Sequence, residues 1–357
     1  MYTITKYLIT TLIVLTTSCY SQSDIFQSNK KYIQLNTGIK MAYVELGENN
    51  SETYILLHGY TDSSRSFQQV IEQLYQLSPQ SRIIVPDLRG HGSTGLPNSD
   101  KGFKTIDFSN DILSLINQLS LNKVHIVGHS FGSMLAQHIA LNHPEKVKSL
   151  VLMGTFVNGK KNIAVQDFLF KELIYGQWKN QLENTYGSNW KEKTFKLAPL
   201  DLGENVTQFL KENWVSEPRA KKSFLDSICK ETIHTPLITW FETLKTIREF
   251  DNTQNLSALK TPTLIIWGEN DELVPQNPDQ EELKKSLQKA NQNFGTSIYY
   301  KTYRKKFPNQ LNIGHNLHWA FPEEVAADIM SFTKSKLGNE SFESETYPIK
   351  ENTPLQR

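Results

Sequence analysis

Five consecutive residues, Gly128-His129-Ser130-Phe131-Gly132, carry the most informative chemistry in the chain. They fit G-x-S-x-G, a pattern that seats a serine on a tight turn between a strand and a helix. Val124 to Val127 before it is a short apolar run, and Met134 to Asn142 after it reads as a helix. In that setting the serine takes a strained backbone, and small neighbours keep the turn free of clashes. Its hydroxyl is lifted clear at the carboxyl ends of the strands. The helix start behind it favours developing negative charge. Ser130 is therefore the candidate nucleophile.

A serine hydroxyl is a weak nucleophile and needs a base. The chain has nine histidines. His125 falls within a strand, His138 and His143 lie on or after the next helix, and His234 lies in a strandless stretch. His129 flanks Ser130 but is expected to point away from the hydroxyl's side of the turn. His315, in Asn312-Ile313-Gly314-His315, follows the late strands and precedes the final helix. Its loop can reach the strand ends, so His315 is the candidate base, ahead of its neighbour His318.

The acid that orients the base should fall between serine and histidine in the chain. Asp271 leads there, within Trp267 to Pro275, ahead of Glu269 and Glu272. No carboxylate directly follows the strand Leu150 to Met153, which strengthens Asp271. The acid would hold the imidazole tautomer and stabilise the imidazolium. Acyl transfer also needs two backbone N–H groups aimed at the tetrahedral oxygen. Phe131, after the serine, is expected to supply one. Tyr60, in the loop His58 to Ser64, is expected to supply the other, with His58 organising that loop.

The elements around these residues alternate between short apolar strands and amphipathic helices, the pattern of a parallel α/β sheet. Met41 to Glu45, Tyr54 to Leu57, Arg82 to Val85, Val124 to Val127 and Leu150 to Met153 read as strands. Ser64 to Leu77 and Thr105 to Leu119 have helical spacing. From about Phe156 to Asp251 the pattern is helical, without a convincing buried strand. Trp178, Trp190, Trp214 and Trp240 fall there. The alternation resumes with Thr263 to Trp267, a helix near Gln280 to Ala290, a strand near Ser297 to Tyr303, and a helix from Pro322 to Lys336.

The expected organisation is a core over 32–155 and 252–337, interrupted by a helical cap over 156–251. A polar tail is expected over 338–357. Residues 1–18 read as a signal segment and 19–31 as a polar tether. The apolar run Tyr7 to Leu15 is too short to span a bilayer as a helix, and small residues lead to Cys19. This resembles a bacterial lipoprotein signal with Cys19 as the lipidated residue, although Thr16 stands where an apolar residue is usual. It implies export, with lipid anchoring to a cell-envelope membrane. The alternative is a periplasmic or secreted protein.

Composition fits a globular chain: 357 residues, 38% hydrophobic and 21% charged, with a formal net charge of +1. Neither that balance nor any basic cluster suggests nucleic-acid binding. The two cysteines, Cys19 and Cys229, give no disulfide framework. No metal-binding motif is evident, and the chemistry requires no cofactor.

Taken together, the chain resembles the α/β-hydrolase superfamily in its capped serine-hydrolase branch. The matching pieces are His58-Gly59-Tyr60, Asp87 through Gly95, Gly128 through Gly132, Gly268 through Pro275, and Gly314-His315, in family order. Two departures are Ala320, where many relatives carry a glutamate, and the long stretch between Asp271 and His315. The resemblance implies an α/β-hydrolase fold, a mostly parallel central sheet flanked by helices, with a helical cap. It also implies a structural role for the Asp87–Gly95 loop. Epoxide hydrolase and haloalkane dehalogenase relatives use an aspartate where this chain has Ser130. The expected activity is hydrolysis of a small carboxylic ester through an acyl-enzyme. C–C bond hydrolysis, amide or aminopeptidase action, and cofactor-free perhydrolysis use the same triad. A non-catalytic surface-anchored binding protein is the remaining alternative.

Overall fold

The computed structural model describes residues 24–334 and 342–349. Cys19 and the apolar run before it lie outside the described residues. Among the described residues nine strands form one sheet: β1 (Lys31–Gln34), β2 (Lys40–Leu46), β3 (Glu52–Leu57), β4 (Ser81–Pro86), β5 (Val124–His129), β6 (Val147–Met153), β7 (Thr263–Gly268), β8 (Ile298–Lys305) and β9 (Phe342–Ile349). Their order is β1-β2-β4-β3-β5-β6-β7-β8-β9. The pairs β1/β2 and β2/β4 are antiparallel, and every other pair is parallel.

Two-residue periodicity explains why the central strands are apolar throughout. Ile55, Leu57 and Ile126 join the core on one face of the sheet, with Ile112, Leu115, Leu135 and Leu287 from three helices. Leu56 and Val127 join the core on the other face, with Val70, Leu74, Val325 and Ile329. Successive side chains thus enter opposite layers, and both layers are covered. The helices Gln68–Leu77 and Pro322–Lys334 cover the second face; Thr105–Gln118, Phe131–Asn142 and Glu281–Phe294 cover the first.

Between β6 and β7 the chain leaves the sheet and forms a helical layer over the strand ends. Its longer pieces are Ala164–Trp178, Lys179–Tyr186, Lys222–Thr232 and Leu237–Glu249. Aromatic rings hold it together. Trp240 is fully buried, with ring centroids 4.9 Å from Trp178 and 5.4 Å from Trp214. No described helix is long and apolar enough to cross a membrane.

Two segments differ from the sequence reading. Residues 24–31 are docked rather than a free tether. The Lys30 ammonium lies 2.7 Å from Asp87 Oδ2, with both side chains shielded from solvent. Phe26 packs on the core beneath the Arg65 guanidinium. A polar composition concealed this docking because one anchor is a charged group that finds a buried partner, Lys30 on Asp87, and the other is a single aromatic, Phe26. The second segment is β9, which stands where a polar tail was expected. Among the described residues it pairs with β8 alone, at the sheet edge. An edge strand needs no continuous apolar run and tolerates a proline such as Pro348.

Candidate active site

Ser130 sits between β5 and the helix Phe131–Asn142, with φ +49° and ψ −120°. That region is disfavoured for any residue with a side chain, and the surrounding packing must hold it. The Ser130 N–H donates to Met153 O at 2.9 Å, and Ser133 Oγ donates to Ser130 O at 2.5 Å. Gly132 explains the second glycine of the motif: a Cβ there would lie 2.1 Å from Leu57 O. The helix can therefore start hard against β3 only without a side chain.

Asp271 lies in the turn after β7 and is buried. Its Oδ1 accepts the N–H groups of Leu273 and Val274, both at 3.0 Å. Its Oδ2 accepts His315 Nδ1–H at 2.8 Å. With the imidazole proton on Nδ1, Nε2 carries the free lone pair. Gly154, directly after β6, makes room for this ring. A Cβ on Gly154 would lie 2.9 Å from His315 Cε1. Nothing in the local sequence marked Gly154, because the neighbour that demands it is 161 residues away.

Ser130, His315, Tyr60 and Phe131 line one cavity of about 590 Å³ under the helical layer. Among the described residues, no acceptor engages the backbone N–H of Tyr60 or of Phe131. The Tyr60 hydroxyl donates to Trp240 O at 2.5 Å, which fixes its loop to the helical layer. Met134, Phe156, Val165, Leu169 and Ile247 give the cavity an apolar wall. Asp62, Glu217 and Glu272 also line it, and among the described residues no lysine or arginine does.

Two further histidines stand behind His315. His129 is also among the residues lining the cavity. Its Nε2–H donates to the His315 carbonyl at 3.1 Å, and its ring lies 4.2 Å from that of His318. His318 Nε2 meets Ser66 Oγ at 2.9 Å, and Ser66 donates to Asp62 Oδ2 at 3.0 Å. Burial drives the His318 pKa down to about 3 and pushes Asp62 up to about 7. His318 is thus a buried neutral group bonded away from Ser130.

His58 donates Nδ1–H to Gly59 O at 2.8 Å and accepts Leu88 N–H at Nε2, tying the Tyr60 loop to the loop after β4. Burial lowers its pKa to about 4. In that second loop Asp87 accepts N–H bonds from Ser64 and Ser93, each at 2.8 Å. Among the described residues, no group of three or more histidine, cysteine or carboxylate side chains could hold a metal ion.

A family model described as alpha/beta hydrolase fold matches residues 54–325. The chain belongs to the α/β-hydrolase family. Epoxide hydrolase 3 of Siraitia grosvenorii is 26% identical over 276 residues, covering 68% of this α/β-hydrolase and 81% of the relative. A 2-hydroxy-6-oxononadienedioate/2-hydroxy-6-oxononatrienedioate hydrolase of Pseudomonas putida is 26% identical over 257 residues, covering 70% and 82%. A provisionally named 2-succinyl-6-hydroxy-2,4-cyclohexadiene-1-carboxylate synthase of Bacillus subtilis is 37% identical over 123 residues. That match covers 34% of this chain and less than half of the relative, 43%. Among solved structures, an esterase from Exiguobacterium antarcticum superposes with a TM-score of 0.61 at 20% identity, covering 85% of this chain and 99% of that one. At that identity the likeness concerns the fold.

Proposed function

We propose that this α/β-hydrolase is a serine hydrolase that cleaves neutral carboxylic esters. The observation that carries the reading is the pairing of Asp271 and His315 in the cavity lined by Ser130 and two unengaged amides. In this reading Ser130 Oγ attacks the ester carbonyl carbon and His315 Nε2 takes its proton. The N–H groups of Tyr60 and Phe131 stabilise the tetrahedral oxyanion, each contributing about 3–4 kcal/mol in the transition state. Collapse expels the alcohol, which receives the proton from His315, and leaves an acyl-Ser130 ester. Water then attacks, with His315 again as base, and releases the acid. Asp271 keeps Nε2 as the basic nitrogen throughout.

The cavity wall favours esters over the C–C reaction of dioate substrates named for the Pseudomonas relative. A carboxylate there would meet Glu272 and the Arg219-paired Glu217, and among the described residues no lysine or arginine lines the cavity to pair it. Burying an unpaired charge is costly, so the wall selects against anions. The apolar side suits an acyl chain. The test compares 4-nitrophenyl butyrate with the 4-nitrophenyl ester of succinate. A kcat/KM at least ~10-fold higher for the neutral ester is expected. Preference for the succinate ester would contradict the reading.

Export with lipidation at Cys19 is part of the same proposal. Cys19→Ser is expected to move the protein from the membrane fraction to the soluble fraction, and unchanged membrane retention would count against it.

A further inference from the structure

One short segment of the helical layer, residues 214–219, is hydrogen-bonded to both loops that complete the site. Trp214 Nε1–H donates to Thr61 Oγ1 at 2.9 Å. Thr61 is next to Tyr60, is fully buried, and has φ +66°. A β-branched residue rarely adopts that conformation, so something outside the loop must hold it. Trp214 does so twice: its indole also packs edge-on against the Tyr60 ring, with centroids 5.9 Å apart. Five residues on, the Arg219 guanidinium donates to Leu311 O at 2.5 Å and to Asn312 O at 3.0 Å. Those carbonyls begin the loop that carries His315. The same segment faces the cavity through Trp214, Ser216 and Glu217.

We propose that residues 214–219 act as a strap that positions the Tyr60 loop and the His315 loop together, and through which a molecule in the cavity tightens both. Trp214 and Arg219 are positioning residues, acting through Thr61 and through the carbonyls of Leu311 and Asn312. This rests on the ester-hydrolase reading for its catalytic consequence but not for its structural one. The strap explains why a loop holding a strained threonine can present the Tyr60 N–H in a fixed direction. It also gives the cap a role beyond shaping the cavity: filling it presses on the segment that aligns the reacting groups.

The test uses the full chain with two independent readouts, amide hydrogen exchange and the rate of Ser130 labelling by a fluorophosphonate. Trp214→Phe keeps an aromatic ring and removes the N–H donor. Exchange in residues 58–64 is expected to quicken at least ~3-fold while strand residues 54–57 stay protected. Labelling is expected to slow about 10-fold, with the ester KM changed less than about 2-fold, because an oxyanion donor acts on the transition state. Arg219→Met should quicken exchange in residues 311–316 instead. Adding Thr61→Gly to Trp214→Phe should restore labelling to within about 3-fold of wild type, since glycine adopts positive φ without the indole's help. Unchanged exchange in both loops would overturn the strap. Altered exchange in a protein whose wild type never labels would leave the strap standing and overturn the serine-nucleophile reading.

Discussion

His129 packs its ring against His315, with centroids 4.8 Å apart, and donates Nε2–H to the carbonyl of the same residue. The side chain next to Ser130 in sequence therefore braces the loop that carries the proposed base. Its other ring nitrogen, Nδ1, is buried without a partner among the described residues. His129→Phe would remove both the useful bond and the unpaired nitrogen. These two effects offset each other, so stability should change by no more than about 1 kcal/mol. Activity should nonetheless fall, since the His315 loop loses its brace. Steady-state kinetics beside thermal melting checks both expectations. Lost activity with a collapsed melting temperature would instead mark His129 as purely structural.

Asp271→Asn should leave the fold intact and nearly abolish turnover. The asparagine oxygen can still accept from Leu273 and Val274 N–H. Its amide nitrogen would then face His315 Nδ1 and donate to it, pushing the imidazole proton to Nε2. A fall in kcat of roughly 10³–10⁴-fold is expected. An activity within about 10-fold of wild type would mean that Asp271 does not set the tautomer.

Lys30→Met should be strongly destabilising. Burial pushes the Asp87 carboxyl up, but the charge and hydrogen bond of Lys30, aided by Ser64 and Ser93, outweigh that and hold it below its ordinary value. Removing the lysine strands a buried carboxylate, at a cost of about 3–5 kcal/mol. Asp87→Asn in the same chain should recover part of the loss. Guanidinium unfolding of the single and double variants measures it. A single variant as stable as wild type would show that residues 24–31 do not dock as described.

Acid should weaken the fold below about pH 6.5, where unfolded histidines take up protons. Burial holds His58 near 4, and His91 and His318 near 3; His129 is also well below its ordinary value. Each stays neutral in the folded chain while its unfolded counterpart protonates. Their contribution to stability is complete above pH 6.5 and is lost as pH falls toward 4 and 3, at up to about 1.4 kcal/mol per pH unit for each group. Asp62, near 7, and Asp279, near 6, act oppositely: both are raised by burial, so their contribution is lost as pH rises from about 4. Four histidines outweigh two carboxyls. The guanidinium midpoint should be lower at pH 5.0 than at pH 7.5, and Asp62→Asn should steepen that fall. A midpoint that is flat or higher at pH 5.0 would show that these histidines do not remain neutral.

The residues legible in the sequence were those whose constraints are local. Gly128 to Gly132 advertise their turn because the strained serine and its close helix need small residues at fixed offsets. Leu56 and Leu57 advertise a strand buried on both faces for a similar reason. Asp271 and His315 could be found by chain order around those strands. Other features depend on contacts between distant residues. Gly154 matters because His315 lies against it, and Lys30 because it meets Asp87. Trp214 looks like any packing tryptophan until its N–H is seen on Thr61. The strand β9 is not legible in the sequence because an edge strand lacks the continuous apolar run of a central one.

The most direct measurement is labelling of the purified protein with a fluorophosphonate, wild type beside Ser130→Ala, followed by identification of the labelled peptide. Rapid labelling of wild type at Ser130 alone, and none of the folded Ser130→Ala variant, is the expected result. Equal labelling of both, or no labelling of a folded wild-type protein, would contradict an activated serine at the turn between β5 and its helix.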